Sequence, residues 1–405
     1  MQPTNLKIDQ PWLLDSSVEQ VMQALSANGG MARFVGGCVR DALFHRPIRD
    51  IDIATDMSPD VVIDLLSAAE LKYAPTGLDH GTITAIADGR GFEVTTLRHD
   101  VATDGRRATV AFTDDWLVDA ERRDFTMNAL YCDADGTVYD PVGGIADIAA
   151  KRVRFIGTAD DRITEDYLRI LRFFRFHAWY GDSAIDEEGL QACIRGQAGL
   201  ATLSIERICA EIMRLLEAAD PVPTLATMTD SGILACLLPA KANLSALERV
   251  VSNEQSATME GGLRRFFSLF EDDVVGVQDL AKSWKLSNKH IRRIKALARK
   301  QAVNAYSEAE VRAALYRHDP QTFIDNLLVW SQSYGKREAE LMSTVQNWVK
   351  PIFPLGGSDV MSKGVKEGQK IGAMLGKLEE QWIEEDFTSK RDALLARLDA
   401  LIAEQ

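Results

Sequence analysis

The sequence predicts an α+β protein: an N-terminal head built on a mixed sheet of about five strands with flanking helices, followed by an all-helical remainder. Two observations predict it. Over roughly the first 150 residues, short β-branched runs alternate with helical stretches, punctuated at Gly29-Gly30, Asp88-Gly89, Asp135-Gly136 and Gly143-Gly144. From Asp161 onward, apolar residues recur at helical spacing and strand signals almost vanish.

In chain order, strands are expected at 34–35, 50–54, 82–87, 92–97 and 130–132. Pro221 and Pro223 interrupt the helical part once, and the stretch 351–357 interrupts it again. The expected division is 1–150 for the head, 151–220 for a neck, 221–310 for a body and 311–405 for a tail. No run of 18 uncharged apolar residues argues for a membrane helix, and residues 1–14 lack the basic stretch and apolar core of a secretion signal. A cytoplasmic protein is expected. Cys38, Cys132, Cys193, Cys209 and Cys236 are widely spaced and read as reduced core residues, neither disulfides nor zinc ligands.

A net charge of −14 disfavours phosphate-backbone partners unless positive charge is concentrated locally. Such a concentration exists. Residues 282–300 hold eight Lys or Arg and no acid. There Ile291, Ile294, Leu297 and Ala298 fall on one helical face, leaving Lys289, Arg292, Arg293, Lys295 and Arg299 outward, a solvated face in most proteins and, given an RNA partner, the candidate RNA contacts.

Phe34-Val35-Gly36-Gly37-Cys38-Val39-Arg40-Asp41 reads as a strand passing through a glycine turn into a helix, a place where backbone N–H groups can approach an anion. Ten residues on stands Arg49-Asp50-Ile51-Asp52-Ile53. Residues two apart on a strand share a face, so Asp50 and Asp52 are expected to project together while the isoleucines enter the core. Paired carboxylates next to a phosphate turn suit Mg2+, which binds a few carboxylates plus substrate phosphates. Glu93, an acid within the apolar strand 92–97, is the candidate third carboxylate; an edge-strand Glu facing water is the alternative.

Gly36-Gly37-x-Val39-Arg40-Asp41 followed by Asp50-x-Asp52 resembles the first signature of the polymerase-β-like nucleotidyltransferases, specifically the class II tRNA nucleotidyltransferases and bacterial poly(A) polymerases. Glu121-Arg122-Arg123-Asp124-Phe125-Thr126-Met127-Asn128 is similar to the family's ribose and phosphate motif. Asp140-Pro141-x-Gly143-Gly144-x-x-Asp147 is similar to its head–neck hinge, and Glu165-Asp166-x-x-Arg169-x-x-Arg172-x-x-Arg175 to its nucleotide-templating motif. The resemblance implies metal binding by Asp50 and Asp52, with Glu93 the third catalytic acid. It implies nucleotide contacts from Gly36, Gly37, Arg40, either Arg122 or Arg123, Asp124, Asn128, Asp166, Arg169, Arg172 and Arg175.

The templating block also has a direct physical logic. Asp accepts hydrogen bonds and Arg donates them, and residues 166 and 169 are neighbours on a predicted helix. Cytosine and adenine each set an amino donor beside a ring-nitrogen acceptor, whereas uracil and guanine invert that pattern. Within the family, the acid-rich residues 376–405 differ from the basic tail of the poly(A) polymerases, and Pro75-Thr76-Gly77-Leu78-Asp79-His80-Gly81-Thr82-Ile83-Thr84 resembles the corresponding stretch of enzymes that add CCA to tRNA from CTP and ATP. The segment 98–107 resembles their mobile loop. Enzymes adding A or CC alone, poly(A) polymerases and a noncatalytic RNA-binding protein rank behind. A monomer or homodimer is expected.

Overall fold

The computed structural model describes residues 1–104, 107–182, 184–238, 241–259 and 261–403, with the backbone alone for 100–110. Two compact units result, Met1–Pro239 and Ala240–Gln405.

In the first unit, the strands are β1 (Pro3–Lys7), β2 (Ala32–Val35), β3 (Asp52–Thr55), β4 (Lys72–Gly77), β5 (Thr82–Ala87), β6 (Arg90–Thr96), β7 (Arg98–Asp104), β8 (Arg107–Phe112), β9 (Tyr131–Cys132) and β10 (Thr137–Tyr139). Eight of them form one mixed sheet in the order β1-β10-β9-β2-β3-β6-β5-β4, while β7 and β8 pair as a separate hairpin. The α+β class is as the sequence predicts, but the sheet is wider than five strands. β1 and β4 are its two edges, mostly exposed and without alternating burial; β4 also carries Pro75, and β10 has only three residues. Edge strands bury little, so their sequences carry little hydrophobic period.

Asp88 and Gly89, both at positive φ, form the two-residue turn between β5 and β6. The segment 98–107, which resembles a mobile loop, covers β7 and the first residue of β8, which pair as a hairpin; its Gly105 and Arg106 lie outside the described residues.

Helices α1 (Ser16–Ser26), α2 (Gly37–Leu43), α3 (Pro59–Ala68), α4 (Trp116–Glu121) and α5 (Gly144–Ala149) accompany the sheet, with α1 and α3 packed on each other and on β5. Then come α6 (Ala159–Glu165), α7 (Leu168–Tyr180), α8 (Glu187–Gly196), α9 (Ile205–Leu216) and α10 (Val222–Asp230). Phe125 from the head packs on Phe155, Phe173 and Phe176, with ring centroids 4.9, 6.4 and 5.0 Å away, which fixes α7 against the sheet. Phe125 and Phe173 are fully buried, each contributing roughly 2–3 kcal/mol of transfer free energy.

The second unit is helical throughout its described residues: α11 (Leu244–Ser256), α12 (Gly262–Ser268), α13 (Val274–Ser283), α14 (Asn288–Leu297), α15 (Glu308–Arg317), α16 (Pro320–Trp330), α17 (Lys336–Gln346), α18 (Gly357–Ser362), α19 (Gly368–Glu384) and α20 (Arg391–Ala403). One of its cores centres on Val311, Leu327 and Leu341, another on Val360, Leu378 and Leu394. No helix of the described residues is long and apolar enough to cross a membrane. Four cysteines are buried and free; Cys236, expected in a core, is free but exposed, as the last residue of a short 3-10 turn near the end of the first unit, where only Leu234 is buried.

Candidate active site

β2 ends at Val35, and Gly36 follows with φ +70° and ψ −119°, a conformation that a side chain would strain. That turn brings α2 back over the strand ends. β3 runs antiparallel to β2 with Asp52 opposite Val35, and parallel to β6 with Asp52 opposite Glu93. Pairing alone therefore sets two acids side by side at the glycine turn. Ile51 and Ile53 are buried as expected, and Phe92 and Val94 are buried on either side of the exposed Glu93. β6 is an interior strand, not an edge, so Glu93 is an outward-facing acid in the middle of the sheet. Asp50, expected within the strand, precedes it: the Val35–Asp52 pair is the last before the turn, leaving residues 50 and 51 unpaired by the sheet. Asp50 and Asp52 nevertheless line one cavity together.

Burial pushes the Asp52 carboxyl up to about 6, and the negative charges of Glu93 and Asp50 push the same way against Arg123 and Arg40. Among the described residues, no group of three or more His, Cys, Asp and Glu is assembled to enclose a metal by itself. Asp50, Asp52 and Glu93 repel one another, which a divalent cation would relieve, and their oxygens with phosphate oxygens and water would make up its shell. The residues present fit such an ion.

A cavity of about 440 Å³ opens beside Asp52, lined by Gly36, Gly37, Arg40 and the arginines at 122, 123, 169, 172 and 207. Its positive wall is organised by Asp119, which is 1% exposed. One Asp119 oxygen accepts from Arg122 Nε and Nη2 at 2.8 and 2.7 Å; the other accepts from Arg123 Nη2 at 3.0 Å and the Tyr131 hydroxyl at 2.8 Å. Burial would raise its carboxyl, but Arg123, Arg122 and Tyr131 outweigh burial and hold it near 2. Arg122 and Arg123, between which sequence could not choose, both line the cavity.

A second chain of contacts crosses the floor. Arg40 Nη1 donates to Asn128 Oδ1 at 2.6 Å, Asn128 Nδ2 to Asp124 at 3.0 Å, and Arg172 Nε to Asp124 at 2.6 Å. Burial opposes ionisation of Asp124, yet Arg172, Asn128 and the Phe125 amide keep its pKa below the usual carboxylate value. Asp140 Oδ1 accepts from the Gly143 and Gly144 amides, and the buried Asp147 holds Arg152, Arg154 and Thr126, ordering the link into α6.

Asp166 and Arg169 both line the cavity, but they do not share one helix. Asp166 is extended (φ −155°, ψ 106°) between α6 and α7, because its Oδ1 accepts from the Leu168 amide at 3.1 Å and starts a new helix. Its Oδ2 accepts from Arg207 Nη2 at 2.6 Å, a partner on α9 that no local pattern announces. Arg169 is held by the Arg162 carbonyl at 2.9 Å and by Glu165. Arg175, expected at the nucleotide, pairs with the buried Glu211 at 2.5 Å and lines a neighbouring cavity, since it sits a turn beyond Arg172. Asp119 was also missed, although its i,i+3 and i,i+4 spacing to the two arginines was a readable signal.

In the second unit, Lys289, Arg292, Lys295 and Arg299 are exposed on or just after α14 and make no ion pair among the described residues. Arg293, expected outward with them, turns inward to Asp325 at 2.7 and 2.8 Å. That aspartate is 1% exposed and also binds Arg264, so burial of its charge recruits the nearest guanidinium of α14.

Residues 32–154 match the poly A polymerase head domain, and residues 184–244 match a domain described as a probable RNA- and SrmB-binding site of polymerase A. A mouse mitochondrial CCA tRNA nucleotidyltransferase 1 is 34% identical over 397 residues, spanning 95% of this chain and 90% of that protein. This chain belongs to the CCA-adding tRNA nucleotidyltransferase family. A CCA-adding enzyme of Levilactobacillus brevis is 30% identical over 93% of this chain and 95% of its own length. The Bacillus stearothermophilus CCA-adding enzyme, solved in complex with CTP, superposes with a TM-score of 0.77 at 26% identity, covering 98% of this chain and 99% of that one. Membership of the CCA-adding family implies use of a divalent metal.

Proposed function

We propose that this protein adds CCA to the 3′ ends of tRNA, using CTP and ATP and releasing pyrophosphate. The observation that carries this reading is a single cavity joining an acidic strand end, an arginine wall and the Asp166–Arg169 edge. Asp50 and Asp52 would hold Mg2+, with Glu93 as the third acid. When bound, such ions stabilise the charge on attacking and departing oxygens.

The chain's own residues supply position and charge. Arg40, Arg122 and Arg123 face the triphosphate above Gly36 and Gly37, each held by a carboxylate or amide that leaves other N–H groups for phosphate. Asp124 and Asn128 fix Arg40 and Arg172 and stand where the ribose would lie. Asp166 accepts from the amino group of C or A, while Arg169 donates to the adjacent ring nitrogen. With U or G, both sets of groups go unpaired, at roughly 1–3 kcal/mol each. Lys289, Arg292, Lys295 and Arg299 contact tRNA phosphates. In this scheme residues 1–150 catalyse, 151–220 template, 221–310 bind tRNA and 311–405 form a tail. A reducing cytoplasmic setting suits the five free cysteines.

The test is incubation of the purified protein with tRNA lacking its last three nucleotides, CTP and ATP, followed by sequencing of the 3′ ends. CCA is the expected product. Addition of A or CC alone, or of an A tract, would move the protein to a sister activity, and tight tRNA binding without incorporation would make it a binding protein.

A further inference from the structure

A second cavity, of about 400 Å³, shares Gly37, Arg40 and Asp52 with the first and adds Asp50, so the acidic strand end is common to both. Nucleotidyl transfer requires two reactants at the same carboxylates, a triphosphate and an attacking hydroxyl approaching in line from opposite sides. The first cavity holds the base-selecting edge and the arginine wall, which leaves the second for the hydroxyl's owner. Its chemistry fits a nucleic-acid strand. Arg40 is committed to Asp41 and Arg175 to Glu211, whereas Arg46, Arg49 and Arg214 have no ion-pair partner among the described residues. Glu217 is the one other acid in the lining. With Asp50 and Asp52 set aside for the cation that the strand end would hold, three guanidinium groups face Glu217 and leave positive charge for phosphate. Trp179 supplies an aromatic wall, its Nε1 donating to the Arg214 carbonyl at 2.7 Å and its own carbonyl accepting from Arg46 at 2.5 Å.

We propose that this second cavity seats the 3′-terminal nucleotide of the RNA acceptor, its base against Trp179 and its phosphates on Arg46, Arg49 and Arg214. The assignment rests on reading the protein as a nucleotidyltransferase. It gives α7 a double role: Arg169 and Arg172 serve the incoming nucleotide, and Trp179, nearly three turns on, serves the end being extended.

The test compares binding of the whole protein to tRNA lacking CCA and to the same tRNA shortened by four further 3′ nucleotides, beside steady-state kinetics with CTP. For Arg49→Ala/Arg214→Ala, and separately Trp179→Ala, affinity for the longer tRNA is expected to fall roughly tenfold. Affinity for the shortened tRNA and the KM for CTP should stay within about twofold. Trp179→Phe, which keeps an aromatic face, should recover most of the loss. Unchanged tRNA affinity, equal losses for both tRNAs, or a CTP KM rising in step would each overturn the assignment. A wild-type protein that binds tRNA but incorporates nothing would overturn the nucleotidyltransferase reading instead, independently of the binding comparison.

Discussion

Asp52 is the side chain whose surroundings most oppose its ionised form. Its folded-state pKa of about 6 lies above the ordinary 3.8. Its contribution to stability is therefore complete below pH 3.8 and disappears as pH rises through 6. In metal-free buffer, Asp52→Asn should melt near wild type at pH 4 and a few degrees higher at pH 8, as followed by circular dichroism across that range. A gap that shrinks with rising pH would contradict the stated environment. With metal and both nucleotides present, the same substitution should lower kcat roughly a thousandfold for C and A addition alike, the loss of several kcal/mol of transition-state stabilisation. Asp166→Ala should behave differently. Transfer should persist while preference for CTP over UTP drops roughly tenfold to a hundredfold, measured as a ratio of kcat/KM values; an unchanged ratio would remove Asp166 from base selection.

Among the elements, α4 and α14 show opposite uses of arginine. The six-residue α4 carries Asp119, whose carboxyl near 2 contributes stability at pH values above 3.8 that is lost as pH falls through 2. Removing that charge should cost about 2 kcal/mol at pH 7, so the denaturation midpoint of Asp119→Asn should lie below that of wild type there and approach it between pH 4 and pH 2. The KM for CTP should rise as well, since two guanidinium groups lose their anchor. On α14, Lys289→Ala/Arg292→Ala/Lys295→Ala should reduce the slope of log affinity for tRNA against log salt by about one unit per residue, without touching CTP binding. Much of this was legible in sequence. The glycine turn follows from its adjacent glycines, Asp52 and the Glu93 strand from two-residue periodicity, and the basic stripe of α14 from helical periodicity, whereas Asp50, which the same periodicity would put in the strand, lies just before it. What escaped was decided by burial across long separations. Arg293 belongs to a stripe of cations by spacing alone, and only Asp325, 32 residues away, turns it inward. Arg207 reaches Asp166 across 41 residues, and the break between α6 and α7 arises because Asp166 prefers to bond the amide two residues on.

At the scale of the whole molecule, two units with separate cores should unfold as separable cooperative events. Arg293→Ala strands part of a buried carboxylate and should cost roughly 1–3 kcal/mol. By calorimetry it should lower one transition while leaving another, and CTP affinity, in place; a uniform shift of all transitions would show that the units melt together. The net charge of −14 gives the protein a general repulsion from polyanions, so productive RNA contact depends on the few places where arginine and lysine outnumber acids. The register between β3 and β6 carries one more consequence. Those strands are partners across an excursion of some forty residues, and only one alignment faces Asp52 with Glu93. Inserting one residue after the Asp88-Gly89 turn would present Phe92 at that position, and deleting one would present Val94, either change inverting the strand's faces. A change of length in the short link between α3 and β4 leaves that alignment untouched, whereas an odd-numbered change between the turn and Glu93 would silence the chemistry at a stroke.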